Sequence, residues 1–276
     1  MEQILKTMLE NVRAKTPLVH NITNYVTVND VANVLLAAGG SPIMSDDADD
    51  VEDITSICGG LNINIGTLNK NTIPSMFLAG KKANALGHIV LLDPVGAGAS
   101  RLRTDTANRL MREVRFDAVR GNISEIKTLC TGSGTTKGVD ADAVDAVTEA
   151  NLDNGVQLVK TFAAQTGCII AVTGAIDLVS DGARCWCIRN GRAEMSRITG
   201  TGCQLSALMT AFLVANPDRK LDAAAAAVCM MGLAGEIGWA NMQPGDGNST
   251  YRNRIIDAIC NMTGDTLEEG AKYELR

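Results

Sequence analysis

Short segments with almost no polar side chains recur along this chain. Each leads through a polar or glycine-rich turn into a longer stretch of helical spacing. The clearest is Ile89-Val90-Leu91-Leu92, which runs into Asp93-Pro94. A strand that is apolar on both faces has to be covered on both faces. Alternation with helices therefore predicts an α/β fold of three layers, a mostly parallel central sheet with helices on both faces. The pattern puts strands at 17–20, 42–44, 61–65, 88–92 and 118–120. Helices are expected at 25–38, 49–58, 73–86, 106–114, 123–130 and 154–166, several of them stopped by glycine. Segments 168–173, 178–180 and 184–188 are too closely spaced for helical crossovers and predict a small antiparallel edge. From Gly200 onward the spacing is helical, at 202–215, 220–240 and 249–262, with an acidic tail from Asp265 to Arg276 closing the last helix. No repeat or linker interrupts the pattern, so one domain over residues 1–276 is the simplest organisation.

The side chains limit what this fold serves. The chain is 46% hydrophobic but only 3% aromatic, so its core is aliphatic. A net charge of −6 without a basic patch argues against nucleic acid. Eight cysteines without C-x-x-C spacing, and only two histidines, exclude the usual zinc patterns and suit reduced, buried thiols. The N-terminal segment alternates charged and apolar residues, unlike a signal peptide. No segment is expected to reach the roughly 20 apolar residues that span a membrane. Together these features predict a cytoplasmic protein.

Open parallel sheets bind ligands at the C-terminal ends of their strands. That rule selects 21–24, 44–47, Gly66-Thr67, 93–98, 120–122 and Thr173-Gly174. Neither G-x-x-x-x-G-K-[ST] nor G-x-G-x-x-G occurs; the segment 132–137 has the composition of the first but not its spacing. Gly200-Thr201-Gly202-Cys203 precedes an apolar helix. It is either an ordinary helix start or a site where backbone N–H groups converge on an anion. A cysteine in such a first turn is expected to have a lowered thiol pKa. Asn122 and Glu125 share one side of another first turn, as a cap or as a Mg2+ site. Asp93 is either a turn residue or a second acidic group near phosphates.

Taken in order, these segments resemble one family. Pro17-Leu-Val-His20-Asn21-Ile-Thr23-Asn24, Ser41-Pro-Ile-Met44, Leu92-Asp93-Pro94-Val-Gly96-Ala-Gly98, Arg120-Gly121-Asn122 with Glu125, Val172-Thr173-Gly174 and Gly200-Thr201-Gly202-Cys203 are similar to the signature of hydroxyethylthiazole kinases. Each segment is weak alone, and their joint order is specific. The resemblance spans about residues 5–265 and implies a ribokinase-like fold. It also implies ATP-dependent phosphorylation of the hydroxyl of 5-(2-hydroxyethyl)-4-methylthiazole, a thiamin salvage step, by a homotrimer with the thiazole near a subunit boundary. Met44, Gly200 and Asn24 would touch the thiazole. Arg120, Thr173 and Asn122 would face ATP, with Glu125 and Asp93 near Mg2+. Thr201, Gly202 and Cys203 would form the catalytic segment, their N–H groups stabilising the charge that moves during transfer. Most ribokinase-like enzymes carry Asp where this chain has Cys203, so Cys203 points to the thiazole kinases and leaves open whether it acts as a base or binds the hydroxyl. The alternatives are a kinase for a pyrimidine alcohol or a sugar, a nucleotide-dependent dehydratase on the same fold, and a non-catalytic binding protein.

Overall fold

The computed structural model describes residues 3–131 and 146–276. Of the stretch expected to be loop-like from Thr131 to Val139, Thr131 is instead the last residue of a helix, and the rest lies outside the described residues. One sheet of nine strands organises the rest, in the order β2-β1-β3-β4-β5-β6-β7-β8-β9. The strands β1 (Leu18–Ile22), β2 (Ser41–Met44), β3 (Gly60–Asn64), β4 (Ile89–Asp93), β5 (Ala118–Asn122) and β6 (Ile169–Thr173) are parallel. β7 (Asp177–Ser180) and β8 (Cys185–Ile188) continue the sheet antiparallel, as the spacing predicts.

The apolar strands are shared between two cores. Ile89 and Leu91 face a cluster built on α1 (Ile4–Lys15), α2 (Val28–Ala38), α8 (Thr201–Ala215), α9 (Lys220–Ala240) and α10 (Asn248–Asn261). Val90 and Leu92 face the opposite cluster, built on α4 (Thr72–Leu86), α5 (Arg101–Glu113), α6 (Ile123–Thr131) and α7 (Leu152–Thr166). Successive side chains alternate across a strand, so β4, buried on both sides, is apolar up to Asp93 at its end. The short α3 (Val51–Ile57) follows β2.

Four expectations need correction. The C-terminal tail does not close the last helix. It forms a separate helix, α11 (Gly264–Gly270), capped by Thr263 Oγ1 on the Thr266 N–H, and then strand β9 (Tyr273–Leu275) against β8. β9 covers an edge that would otherwise present unpaired backbone groups, and Tyr273 packs on Trp186 with ring centroids 4.3 Å apart. α2 starts at Val28, not Tyr25, because 24–27 makes a turn closed by the Thr27 N–H on the Asn24 carbonyl (3.2 Å). α5 starts five residues earlier than expected, because the Ser100 hydroxyl caps the Arg103 N–H (3.3 Å). Finally, Pro217–Ala240 is long and apolar enough by composition to cross a membrane. It packs instead at the centre of the first core, with its alanines letting α8 and α10 approach closely.

The strand order also locates a crevice. The chain runs from β1 outward to β2 and then crosses back to β3, so the connections leave on opposite sides of β1. Such a reversal opens a cleft at the C-terminal ends of β1 and β3.

Candidate active site

Polar residues at the strand ends join into one buried chain of hydrogen bonds. Asp93 ends β4 with no exposed surface. Its Oδ2 accepts from Asn64 Nδ2 (2.8 Å), at the end of β3, and from Ser206 Oγ (2.8 Å) in α8. Its Oδ1 has no hydrogen bond and faces Arg120 Nη1 at 3.6 Å. Arg120 Nη2 in turn donates to Thr173 Oγ1 (2.6 Å) at the end of β6. In the other direction, Asn64 Oδ1 accepts from Asn24 Nδ2 (3.1 Å), which also donates to Cys203 Sγ (3.1 Å). Thr27 Oγ1 donates to Asn24 Oδ1 (3.1 Å). Parallel register makes part of this possible, since Asn64 lies beside Asp93 and Asn122 beside Thr173.

A second knot adjoins the first. The Glu125 N–H donates to Asn122 Oδ1 (2.9 Å), and the Asn122 N–H donates to Glu125 Oε2 (2.7 Å). Glu125 Oε1 accepts the Gly96 N–H (2.8 Å), which ties the loop after β4 to the start of α6. The capping geometry is therefore realised, and it leaves Glu125 almost wholly buried. Burial, and then the charge of Asp93, push the Glu125 carboxyl up to about 7, against the pull of the two N–H groups and Arg120. Burial also pushes Asp93 upward, opposed first by Arg120.

The expectation for Cys203 is reversed. Its thiol is 8% exposed, and burial followed by the Asp93 charge raises its pKa instead of lowering it. Desolvation inside the sheet–helix junction outweighs the helix start, so the resting group is a thiol.

Two glycines allow the segments to meet. Gly200 takes φ +90°, and the Thr27 methyl group fills the space a β-carbon would need. A β-carbon on Gly202 would lie 2.5 Å from both Nη atoms of Arg120. The first helical bond of α8 runs from the Gln204 N–H to the Gly200 carbonyl (2.9 Å). The N–H groups of Thr201, Gly202 and Cys203 thus precede the helical ladder, under the Arg120 guanidinium.

Two pockets flank this centre. The larger, about 830 Å³, is lined by Arg120, Thr173, Asp177, Asn190, Thr201 and Gly202 among others. Asp177 accepts the Gly174 N–H (2.8 Å) and so shapes its floor. The smaller, about 160 Å³, lies at the β1/β3 crevice and is lined by Asn21, Thr23, Tyr25, Met44, Asn64 and Met76 among others. Of the expected site residues, Met44 therefore lines the small pocket, and Arg120, Thr173, Thr201 and Gly202 the large one. Asn24, Cys203, Asp93 and Glu125 are buried between them. Gly200 and Asn122 line neither pocket; Gly200 packs on Thr27, and Asn122 accepts the Glu125 N–H. Sequence reasoning missed Asn64 and Ser206. For Asn64 the signal was present: Asn62 and Asn64 alternate within an otherwise apolar strand.

The ends of the parallel strands thus hold a buried Asp, an Arg and a glycine-opened helix start between a large and a small pocket, the arrangement expected of a small-molecule kinase of ribokinase-like fold. Residues 9–265 match the model of the hydroxyethylthiazole kinase family. The chain is 58% identical, over 98% of its length and 99% of the relative's, to the hydroxyethylthiazole kinase of Clostridium acetobutylicum. The structure of the hydroxyethylthiazole kinase protein from Pyrococcus horikoshii OT3 matches with a TM-score of 0.88 at 32% identity, covering 99% of both chains. A Staphylococcus aureus pyridoxal kinase in complex with AMP-PCP and pyridoxal matches with a TM-score of 0.61 at 15% identity, over 94% of this chain and 98% of that one, and shares the fold. The chain belongs to the hydroxyethylthiazole kinase family.

Proposed function

We propose that this chain transfers the γ-phosphoryl group of ATP to the hydroxyl of 5-(2-hydroxyethyl)-4-methylthiazole, as a step of thiamin salvage. The observation that carries the reading is the continuous buried network from Cys203 and Asn24, beside the small pocket, to Asp93, Arg120 and Thr173, beside the large one. It supplies what phosphoryl transfer asks of a protein, which is positioning and charge placed at the phosphates. ATP occupies the large pocket in this reading, and the thiazole the small one against Met44 and Met76, whose thioethers suit a neutral, mostly apolar ring.

The residues fit a magnesium ion. Asp93 keeps one carboxylate oxygen without a hydrogen bond, and Glu125 lies close enough to feel its charge. Among the described residues no group of three or more such ligands is preassembled, which suits an ion that arrives with phosphate and water around it. Asp93 and Glu125 would hold Mg2+, which when bound neutralises phosphate charge. Arg120 adds a permanent positive charge whose planar fork matches two phosphate oxygens. The N–H groups of Thr201, Gly202 and Cys203 face the charge that shifts during transfer.

In this mechanism the substrate hydroxyl oxygen bonds to the γ-phosphorus as the bond to ADP breaks. Cys203 orients that hydroxyl; a buried thiol is a poor proton acceptor, and a loose transition state lets the proton pass late to an oxygen of the transferred phosphoryl group. Cys203→Ser keeps an acceptor for Asn24 and is expected to retain turnover within about tenfold. Loss of a true general base would cost about 10²–10⁴-fold. A Cys203→Ser rate in that lower range, in a folded protein, would restore the base assignment.

The homotrimer belongs to the same reading. Tyr25 and Val28 rim the small pocket and are exposed, as is Val26 between them, so a second copy covering this rim would enclose the thiazole. A coupled ADP-release assay with the thiazole alcohol, a pyrimidine alcohol and ribose side by side tests the function. Turnover with the thiazole alcohol alone is the expected result, and a preference for either other substrate would sink it.

A further inference from the structure

The hydrogen bonds between Cys203 and Asp93 have only one possible direction, and one backbone group sets it. The Gly66 N–H donates to Asn64 Oδ1 at 2.9 Å. A backbone N–H can only donate, so the oxygen of the Asn64 amide must face it and the nitrogen must face Asp93. The reversed amide would set NH₂ against N–H and oxygen against carboxylate. With Asn64 Oδ1 fixed as an acceptor, the Asn24 group beside it has to be the NH₂, and the same NH₂ then donates to Cys203 Sγ. Thr27 Oγ1 completes the order by donating to the remaining Asn24 oxygen. Gly66 comes this close because it has no side chain: a β-carbon there would lie 3.0 Å from Asn64 Oδ1 and 3.1 Å from Asn24 Nδ2. Its carbonyl is held from the far side by Arg103 Nη2 (2.7 Å). Asn64 and Asn24 are 1% and 4% exposed, so water does not substitute for either amide.

We propose that Asn64 is a positioning residue for phosphoryl transfer, whose amide, oriented by the Gly66 N–H, holds the Cys203 sulfur as an acceptor and Asp93 as a charged partner of Arg120. The inference rests on the kinase reading above, and it assigns the coupling between the two pockets to one amide. Asn64 lines the small pocket and bonds the acid beside the large one. The sulfur, taken up as an acceptor from the Asn24 side, leaves its own proton and remaining lone pair for the substrate hydroxyl. The charged and titratable groups around this amide are Asp93 on β4, Arg120 on β5, Glu125 on α6, Cys203 on α8 and Arg103 on α5.

Asn64→Asp tests the directional claim, because it keeps the shape and removes only the donor. Oδ1 still accepts from Gly66 and Asn24, while the other oxygen faces Asp93. Two carboxyl groups then face each other where the amide placed a donor. The kcat of Asn64→Asp is therefore expected to fall by about 10–100-fold, with KM for ATP within about threefold. Asn64→Leu, which also removes the acceptor for Gly66 and Asn24, is expected to be slower still. An Asn64→Asp kcat within about threefold of the unaltered chain overturns the proposal, whether or not Asn64→Leu folds. Peptide-resolved alkylation of Cys203 by iodoacetamide gives a readout that needs no substrate. Its rate in Asn64→Asp, relative to the unaltered chain, is expected to fall by about tenfold at a single pH, because added negative charge near the sulfur disfavours the thiolate. If the unaltered enzyme fails to phosphorylate the thiazole alcohol, the function reading falls, and the alkylation ratio still decides the role of Asn64.

Discussion

Gly202→Ala is expected to leave a folded protein that has lost most of its turnover, with kcat/KM down by about 10²–10³-fold. The three atoms nearest the added β-carbon all belong to the guanidinium of Arg120, with each Nη at 2.5 Å. That is the free end of a long side chain, so the backbone need not shift. Alanine also favours the first turns of α8 over glycine by up to about 1 kcal/mol. The thermal midpoint should hold or rise. What changes is Arg120: pushed off the helix start, it leaves Thr173 and Asp93 and no longer points along the N–H groups of 201–203. Asp93 then stays buried without its cation, which pushes its carboxyl further toward the neutral form. Steady-state kinetics and a melting curve on the same preparation check both halves. A variant with turnover within about threefold of the unaltered enzyme would show that Arg120 does not serve the phosphates.

Glu125→Gln should be damaging in two separable ways. Both oxygens of Glu125 accept backbone N–H groups, from Gly96 and Asn122. A glutamine must turn its NH₂ toward one of them, leaving a buried donor facing a donor, at a cost of about 1–3 kcal/mol. The loop after β4 and the start of α6 loosen together. Removal of the second carboxylate beside Asp93 also weakens any hold on Mg2+, so turnover should fall by about 10²-fold or more and the Mg2+ needed for half-maximal rate should rise. An unchanged Mg2+ requirement would remove Glu125 from the metal site. The pH dependence of stability gives an independent check. The folded value of Glu125, about 7, lies above its ordinary value of 4.5. Its contribution to stability is therefore fully present below about 4.5 and is lost as pH rises through 7. The melting temperature of the unaltered chain should decline over that window, and Glu125→Gln should flatten the slope.

How much of this was legible beforehand differs from residue to residue. The strand Ile89–Asp93 was readable because double-sided burial leaves no polar position except at the end, and the polar end is where a ligand binds. Asn122 and Glu125 were readable as a pair because three-residue spacing at a helix start has few geometries, though spacing could not say that the cap would also be deeply buried. β9 was not readable: three residues carry too little periodicity, and only the open edge of β8 gives them a partner. The start of α5 hung on one hydroxyl, and the buried placement of α9 on the neighbours that enclose it.

Local pattern and composition determined the class of this protein: a layered α/β fold with a mostly parallel sheet, strand-end polar residues, and a glycine-opened helix start that in company with the other segments marks a thiazole kinase. These properties depend on neighbours along the chain, whose distances the covalent backbone fixes. Tertiary structure decided what those residues are chemically. Cys203 looked like an activated thiol from its helix position, yet burial beside Asp93, 110 residues away by number, makes it a protonated one. Asn64 looked like a polar residue within a strand, and its contact with Asp93, Asn24 and Gly66 orients the centre of the site. The physical reason is that solvation, charge proximity and the direction of a hydrogen bond depend on distance in space, and the folded sheet brings together groups that the sequence holds far apart.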